Sequence, residues 1–97
     1  MSEQSTPQAH SGGRPVLRRG VRLVHDPVRD RHALLYPEGV LLLNHTAAAV
    51  LRRCDGATST EDIIAGLAAD YRDVARPDVT DLLDRLRDRR LLEVRRG

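Results

Sequence analysis

The sequence predicts an α+β domain, winged-helix-like, with a three-stranded antiparallel sheet followed by three helices. Three observations carry this. Between residues 21 and 36 side chains alternate with a period of two. Turn signals, Asp26-Pro27 and Pro37-Glu38-Gly39, divide that stretch and close it. After Asn44 the apolar spacing changes to three and four, and it keeps that spacing to Leu86.

The elements follow in order. Residues 1–15 are rich in Ser, Gln, Thr, Pro, Gly and His and nearly free of apolar side chains, so they read as a disordered tail. The folded domain is expected over residues 16–97. Val21, Leu23 and His25 alternate with Arg22, Val24 and Asp26 as a first strand. Arg31 to Tyr36 is a second, with His32, Leu34 and Tyr36 on one face. Val40 to Leu43 is a third, and it is apolar on both faces.

Asn44 or Thr46 then caps a helix whose face is Ala47, Val50, Leu51 and Cys54, ended by Asp55-Gly56. Ser59 or Thr60 caps the second helix, with Ile63, Ile64, Leu67, Ala68 and Tyr71 as its stripe. Pro77-Asp78 opens the third, which carries Val79, Leu82, Leu83 and Leu86. Leu91 to Val94 is either a short closing strand or a packed tail.

Length and composition set limits. A chain of 97 residues holds one domain with a modest core. Without Phe or Trp, that core is built from Leu, Val, Ile and Ala. All 16 basic residues are Arg, set against 14 acids, for a net charge of +2. From His45 onward, Arg and acidic residues balance, so no part of the chain is a polybasic surface for nucleic acid or membrane. No apolar run approaches the roughly 20 residues of a membrane helix. No secretory signal opens the chain, and the single Cys forms no internal disulfide. The expected location is cytoplasmic.

Catalytic chemistry finds little to work with. His25 and His32 flank a turn and, with Asp26, could hold a metal, but neither an HExxH motif nor a Cys pair supports this. Polar hairpin histidines are the plainer reading. Cys54 lies on an apolar helix face and reads as a small buried hydrophobe rather than a nucleophile. The glycines match no phosphate-binding loop. The expectation is a protein that is not an enzyme, with no metal and no cofactor.

Two binding classes remain. As a winged-helix DNA-binding protein, the chain would read bases with Arg85, Arg87, Arg89 and Arg90 of its third helix, but Asp78, Asp81, Asp84 and Asp88 on that helix oppose phosphate. As a peptide binder, it would use Val40, Leu41, Leu42 and Leu43. If that strand is an edge, an extended peptide can add to it as a further strand. Equally, a helix could cover its second face.

Several short motifs, in order and at consistent spacing, resemble the PqqD family. They are Arg14-Pro15 through Asp26; Leu34-Leu35-Tyr36-Pro37-Glu38-Gly39; Leu43-Asn44-His45-Thr46-Ala47; and Cys54-Asp55-Gly56 with Thr58, Thr60 and Ile63. The resemblance spans most of residues 14–92. It implies a RiPP leader-peptide recognition domain, a non-catalytic peptide chaperone of pyrroloquinoline quinone (PQQ) biosynthesis. It further implies two partners: the precursor peptide PqqA, and the radical SAM enzyme PqqE to which that peptide is presented. Related domains serve other modified-peptide pathways. On this resemblance Val40 to Leu43 form the receiving strand, Leu83 and Leu86 line the groove, and Arg87 and Arg90 stand at its rim. Nucleic acid and membrane are not expected partners. An exposed edge strand permits either a monomer or a homodimer.

Overall fold

The computed structural model describes residues 13–96. Five strands and three helices follow one another in the order β1 (Gly13–Leu17), β2 (Arg22–Asp26), β3 (Arg31–Tyr36), β4 (Gly39–Leu43), α1 (His45–Arg52), α2 (Thr60–Asp70), α3 (Arg76–Asp88) and β5 (Leu92–Arg96). The strands β2, β3 and β4 form the expected antiparallel sheet, in that order. The α+β, winged-helix-like class stands.

Turn chemistry sets the sheet. Asp26 Oδ1 accepts from the backbone N–H groups of Val28 and Arg29, which folds the β2–β3 connection. That connection puts His25 opposite His32 and Leu23 opposite Leu34. The two-residue turn Pro37-Glu38 then sets Leu34 opposite Leu41 and His32 opposite Leu43. Leu23, His25, His32, Leu34, Tyr36, Leu41 and Leu43 therefore share the inner face.

A second, two-stranded sheet pairs β1 with β5, from Gly13↔Arg96 to Leu17↔Leu92. The expected reading had no strand before residue 21. Pro15 and the Arg pair Arg18-Arg19 break any alternation there, so the strand is specified by its partner rather than its own pattern. Residues 13–15, placed in the tail by composition, form the first part of β1; residues 1–12 of that tail lie outside the described residues. Leu91 to Val94, left open between strand and tail, enters β5 at Leu92. Gly20, with φ +87°, makes the turn from β1 to β2, closed by Val21 N–H donating to the Arg18 carbonyl at 3.0 Å.

The helix caps resolve the open alternatives. Asn44 caps α1, its side chain accepting from Ala47 N–H at 2.7 Å. Ser59 caps α2, accepting from Asp62 N–H at 3.0 Å. At α3 the Asp78 carboxylate reaches back to Ala75 N–H at 2.9 Å. Gly56, with φ +78°, follows α1; its N–H donates to the Pro15 carbonyl at 3.0 Å, and Arg14 Nε donates to its carbonyl at 3.1 Å. The left-handed φ of +78° at Gly56 is what disfavours a side chain there, while the Arg95 guanidinium that a Cβ would meet at 2.9 Å is a flexible side-chain end.

The core lies between the inner sheet face and the helices: Leu34, Val50, Ile63, Leu67, Val79, Leu83 and Leu86 are fully buried. Burial of each such side chain stabilises by about 1.5–3 kcal/mol. The α2 stripe is narrower than its spacing suggested. Ile63 and Leu67 are buried, whereas Ala68 and Tyr71 are exposed at the helix end, where no element covers them.

Cys54 is buried and donates from Sγ to the Val50 carbonyl at 3.4 Å. Burial, with the Asp55 charge beside it, pushes the thiol up to about 12. Native protein is therefore expected to resist iodoacetamide at pH 8 and to react fully once unfolded; mass spectrometry of both states checks this.

The end of α3 has an unusual residue. Arg90 takes φ +63°. Its N–H donates to the Arg87 carbonyl, and Leu91 N–H donates to the Leu86 carbonyl at 2.9 Å. This is the Schellman closure, normally built on Gly. Arg90→Gly should raise stability by about 0.5–1 kcal/mol, read from urea unfolding midpoints.

Candidate functional site

The third strand's apolar run has two different fates. Leu41 and Leu43 point inward and pack on the core. Val40 and Leu42 point outward and remain 58% and 67% exposed. The helices thus cover one face of β4 and leave the other open. Along the ladder Leu42 neighbours Ala33 and then Val24, while Val40 neighbours Leu35, so the open face continues as an apolar patch.

β4 is also the sheet edge; among the described residues only β3 pairs with it. Its hairpin closes with the pair Tyr36↔Gly39. Bonded and non-bonded pairs alternate along an antiparallel ladder, so the N–H and C=O groups of Val40 and Leu42 are directed to the free edge. The same two residues present both backbone donors and acceptors and exposed apolar side chains.

A cleft of about 170 Å³ opens between this edge and α3. It is lined by Leu41, Leu42, Leu43, Asn44 and Ala47 on one side, and by Leu82, Arg85, Leu86 and Arg89 on the other. It adjoins a second cleft that shares Asn44, Ala47, Leu82 and Arg85 and adds Asp73, Asp78 and Asp81. The combined surface is apolar along its floor, basic at Arg85 and Arg89, and acidic at its other end.

The structure brings Leu41, Leu42, Leu43 and Leu86 onto this cleft, with Val40 exposed on the same strand. Leu83, Arg87 and Arg90 are placed elsewhere. Leu83 is 1% exposed and belongs to the core. Arg87 is exposed and outside the cleft lining. Arg90 lies beyond the helix and borders a separate surface cleft with Arg18, Arg19, Tyr36 and Glu38. The residues of α3 that line the cleft are Leu82, Arg85, Leu86 and Arg89; Leu86 is itself a core residue at 1% exposure and touches the cleft only at its floor. The stripe Val79, Leu82, Leu83 and Leu86 spans both core and groove, and spacing alone does not say which edge of it faces outward.

The histidines form a separate cluster. His25 Nε2–H donates to Asp30 Oδ1 at 2.9 Å. The rings of His25 and His32 stack with centroids 4.5 Å apart, and His32 Nε2 lies 3.1 Å from His45 Nδ1. Burial, reinforced by His25 and His45, holds His32 below the ordinary histidine value. The hydrogen bond from His25 holds the Asp30 carboxyl below its ordinary value. Asp26, the carboxylate considered from sequence, is occupied by the β2–β3 turn, and Asp30 takes that place.

Among the described residues no helix is long and apolar enough to cross a membrane.

The fold and the cleft have counterparts in known proteins. The family model described as coenzyme PQQ synthesis protein D (PqqD) matches residues 31–92. A "PqqA binding protein" of Azotobacter vinelandii is 40% identical over 82 residues, covering 82% of this chain and 89% of that protein. A protein of the same description from Xanthomonas euvesicatoria pv. vesicatoria is 45% identical over 83 residues, covering 82% and 90%. Among solved structures, the NMR structure of the PqqD truncation of Methylobacterium extorquens PqqCD, described as a functional and stand-alone RiPP recognition element, matches with a TM-score of 0.68. It is 37% identical and covers 87% of this chain and 92% of that one. With the family match running from β3 to the first residue of β5, and relatives at this identity over most of both chains, this chain belongs to the PqqD family.

Proposed function

We propose that this protein is a non-catalytic peptide chaperone of PQQ biosynthesis. It binds the precursor peptide PqqA as an added strand on β4 and presents it to the radical SAM enzyme PqqE. The observation that carries this reading is the edge of β4, where Val40 and Leu42 are exposed beside a cleft. Main-chain hydrogen bonds at such an edge supply affinity for any extended chain, and pockets for alternate side chains supply selectivity. The names of the relatives, PqqA binding proteins, and the recognition-element description of the solved neighbour support the same reading.

Charge then orients the ligand. Acidic side chains of the peptide would lie against Arg85 and Arg89, and basic ones against Asp73, Asp78 and Asp81. Those aspartates also weigh against a DNA-binding α3, since they would face phosphate. Bringing peptide and enzyme onto one small protein raises the peptide's effective concentration at the enzyme without any chemistry here.

The test is calorimetric titration with synthetic PqqA from the same genome, alone and with PqqE present. Saturable one-to-one binding is expected, with NMR shifts along β4 and the outer side of α3. Folded protein that binds PqqA in neither titration overturns the proposal.

A further inference from the structure

Three histidines and one aspartate, scattered over 21 residues of sequence, converge at the end of the sheet remote from the Pro37-Glu38 turn. The hairpin register puts His25 beside His32. Asp30, with φ +51°, folds the connecting loop back over them. His45, the first residue of α1, arrives two residues after Leu43, the ladder partner of His32.

The ligand atoms of His25, Asp30 and His32 all lie within 4.8 Å of one another. His45 touches two members of this triad: Nδ1 is 3.1 Å from His32 Nε2, and Nε2 is 3.4 Å from Asp30 Oδ2. In a tetrahedral site with bonds of about 2.0–2.1 Å, donor atoms stand about 3.3 Å apart. The His25 Nε2–Asp30 Oδ1 contact of 2.9 Å is close to such an edge, and His32 stands within 4.8 Å of both.

We propose that His25, Asp30 and His32, with His45 against them, form a binding site for a divalent transition-metal ion of the zinc type, whose remaining positions are open to solvent. Imidazole with one carboxylate is the donor set such ions take, in contrast to the all-oxygen shells of Mg²⁺ and Ca²⁺. His32 is the anchored ligand: it is 5% exposed and fixed between two other rings. Its Nδ1 is buried and has no hydrogen-bond partner among the described residues, so internal hydrogen bonding leaves donor capacity unused. His25, Asp30 and His45 are exposed, which gives the ion a path of entry.

The ion ties the β2–β3 loop to the end of the hairpin, where His32 pairs with Leu43 of β4, outside the cleft. This site stands on its own geometry and does not depend on what the cleft binds. The nearest carboxylate in sequence, Asp26, turns the loop instead, so no residue spacing announces the site.

The experiment uses full-length, tag-free protein stripped of metal. Zinc sulfate is titrated by calorimetry at neutral pH, and thermal unfolding is followed with and without zinc. One equivalent of zinc should bind and raise the melting temperature. His25→Asn and Asp30→Asn change exposed side chains and keep the fold, checked by circular dichroism; each should weaken binding roughly tenfold or more and shrink the thermal shift. His10→Asn, in the N-terminal segment, should change neither readout. Absence of saturable zinc binding, or binding left unchanged by both cluster variants, overturns the proposal.

Discussion

Leu42→Asp should weaken PqqA binding at least about tenfold, a loss of about 1.4 kcal/mol or more, while leaving the fold intact. Leu42 is 67% exposed, so the charge is solvated in the free protein and costs the fold little. In the proposed complex the same position is covered by the added strand, and the carboxylate is desolvated without a partner. Calorimetry with the variant measures the loss, and an unchanged circular dichroism spectrum and melting temperature exclude unfolding as its cause. Unchanged affinity in a folded variant would show that the peptide does not lie on this edge.

Leu83→Ala and Leu82→Ala, one residue apart, should fail in opposite ways. Leu83 is 1% exposed within the core, and truncating it removes packing and leaves a cavity costing about 3 kcal/mol. For a domain of this size that loss lowers the melting temperature by roughly 12–24 °C. Total stabilities of about 5–15 kcal/mol leave the variant marginal. Leu82 is only partly buried and lines the cleft, so its truncation should leave most of the stability in place and fall instead on peptide affinity. Melting curves and titrations on both variants separate the core edge of α3 from its groove edge. Equal thermal losses with equal affinities would show that the helix does not divide in this way.

The sequence alone was sufficient for the sheet of β2 to β4, the helices and both uncertain caps' neighbourhoods. Those features are local. Alternation from Val21 to Tyr36, Pro and Gly at turns, and Asn44 and Ser59 before apolar stripes act over a few residues. The apolar outer face of Val40 to Leu43 was also legible, because four apolar residues in a row exceed what one covered face requires.

Tertiary structure decided the rest. β1 lacks a pattern of its own and exists because β5 and the turn at Gly56 hold it. Whether Leu82 or Leu83 faces the groove depends on how α3 is rotated against β4, and a stripe broad enough for both surfaces does not encode that rotation. Arg90 read as one more helical residue, yet its left-handed backbone ends the helix and turns it from the cleft. The histidine cluster is the furthest case. A hairpin register, a loop and a helix start place His25, Asp30, His32 and His45 together, and only a folded chain brings residues so far apart to 3 Å separations.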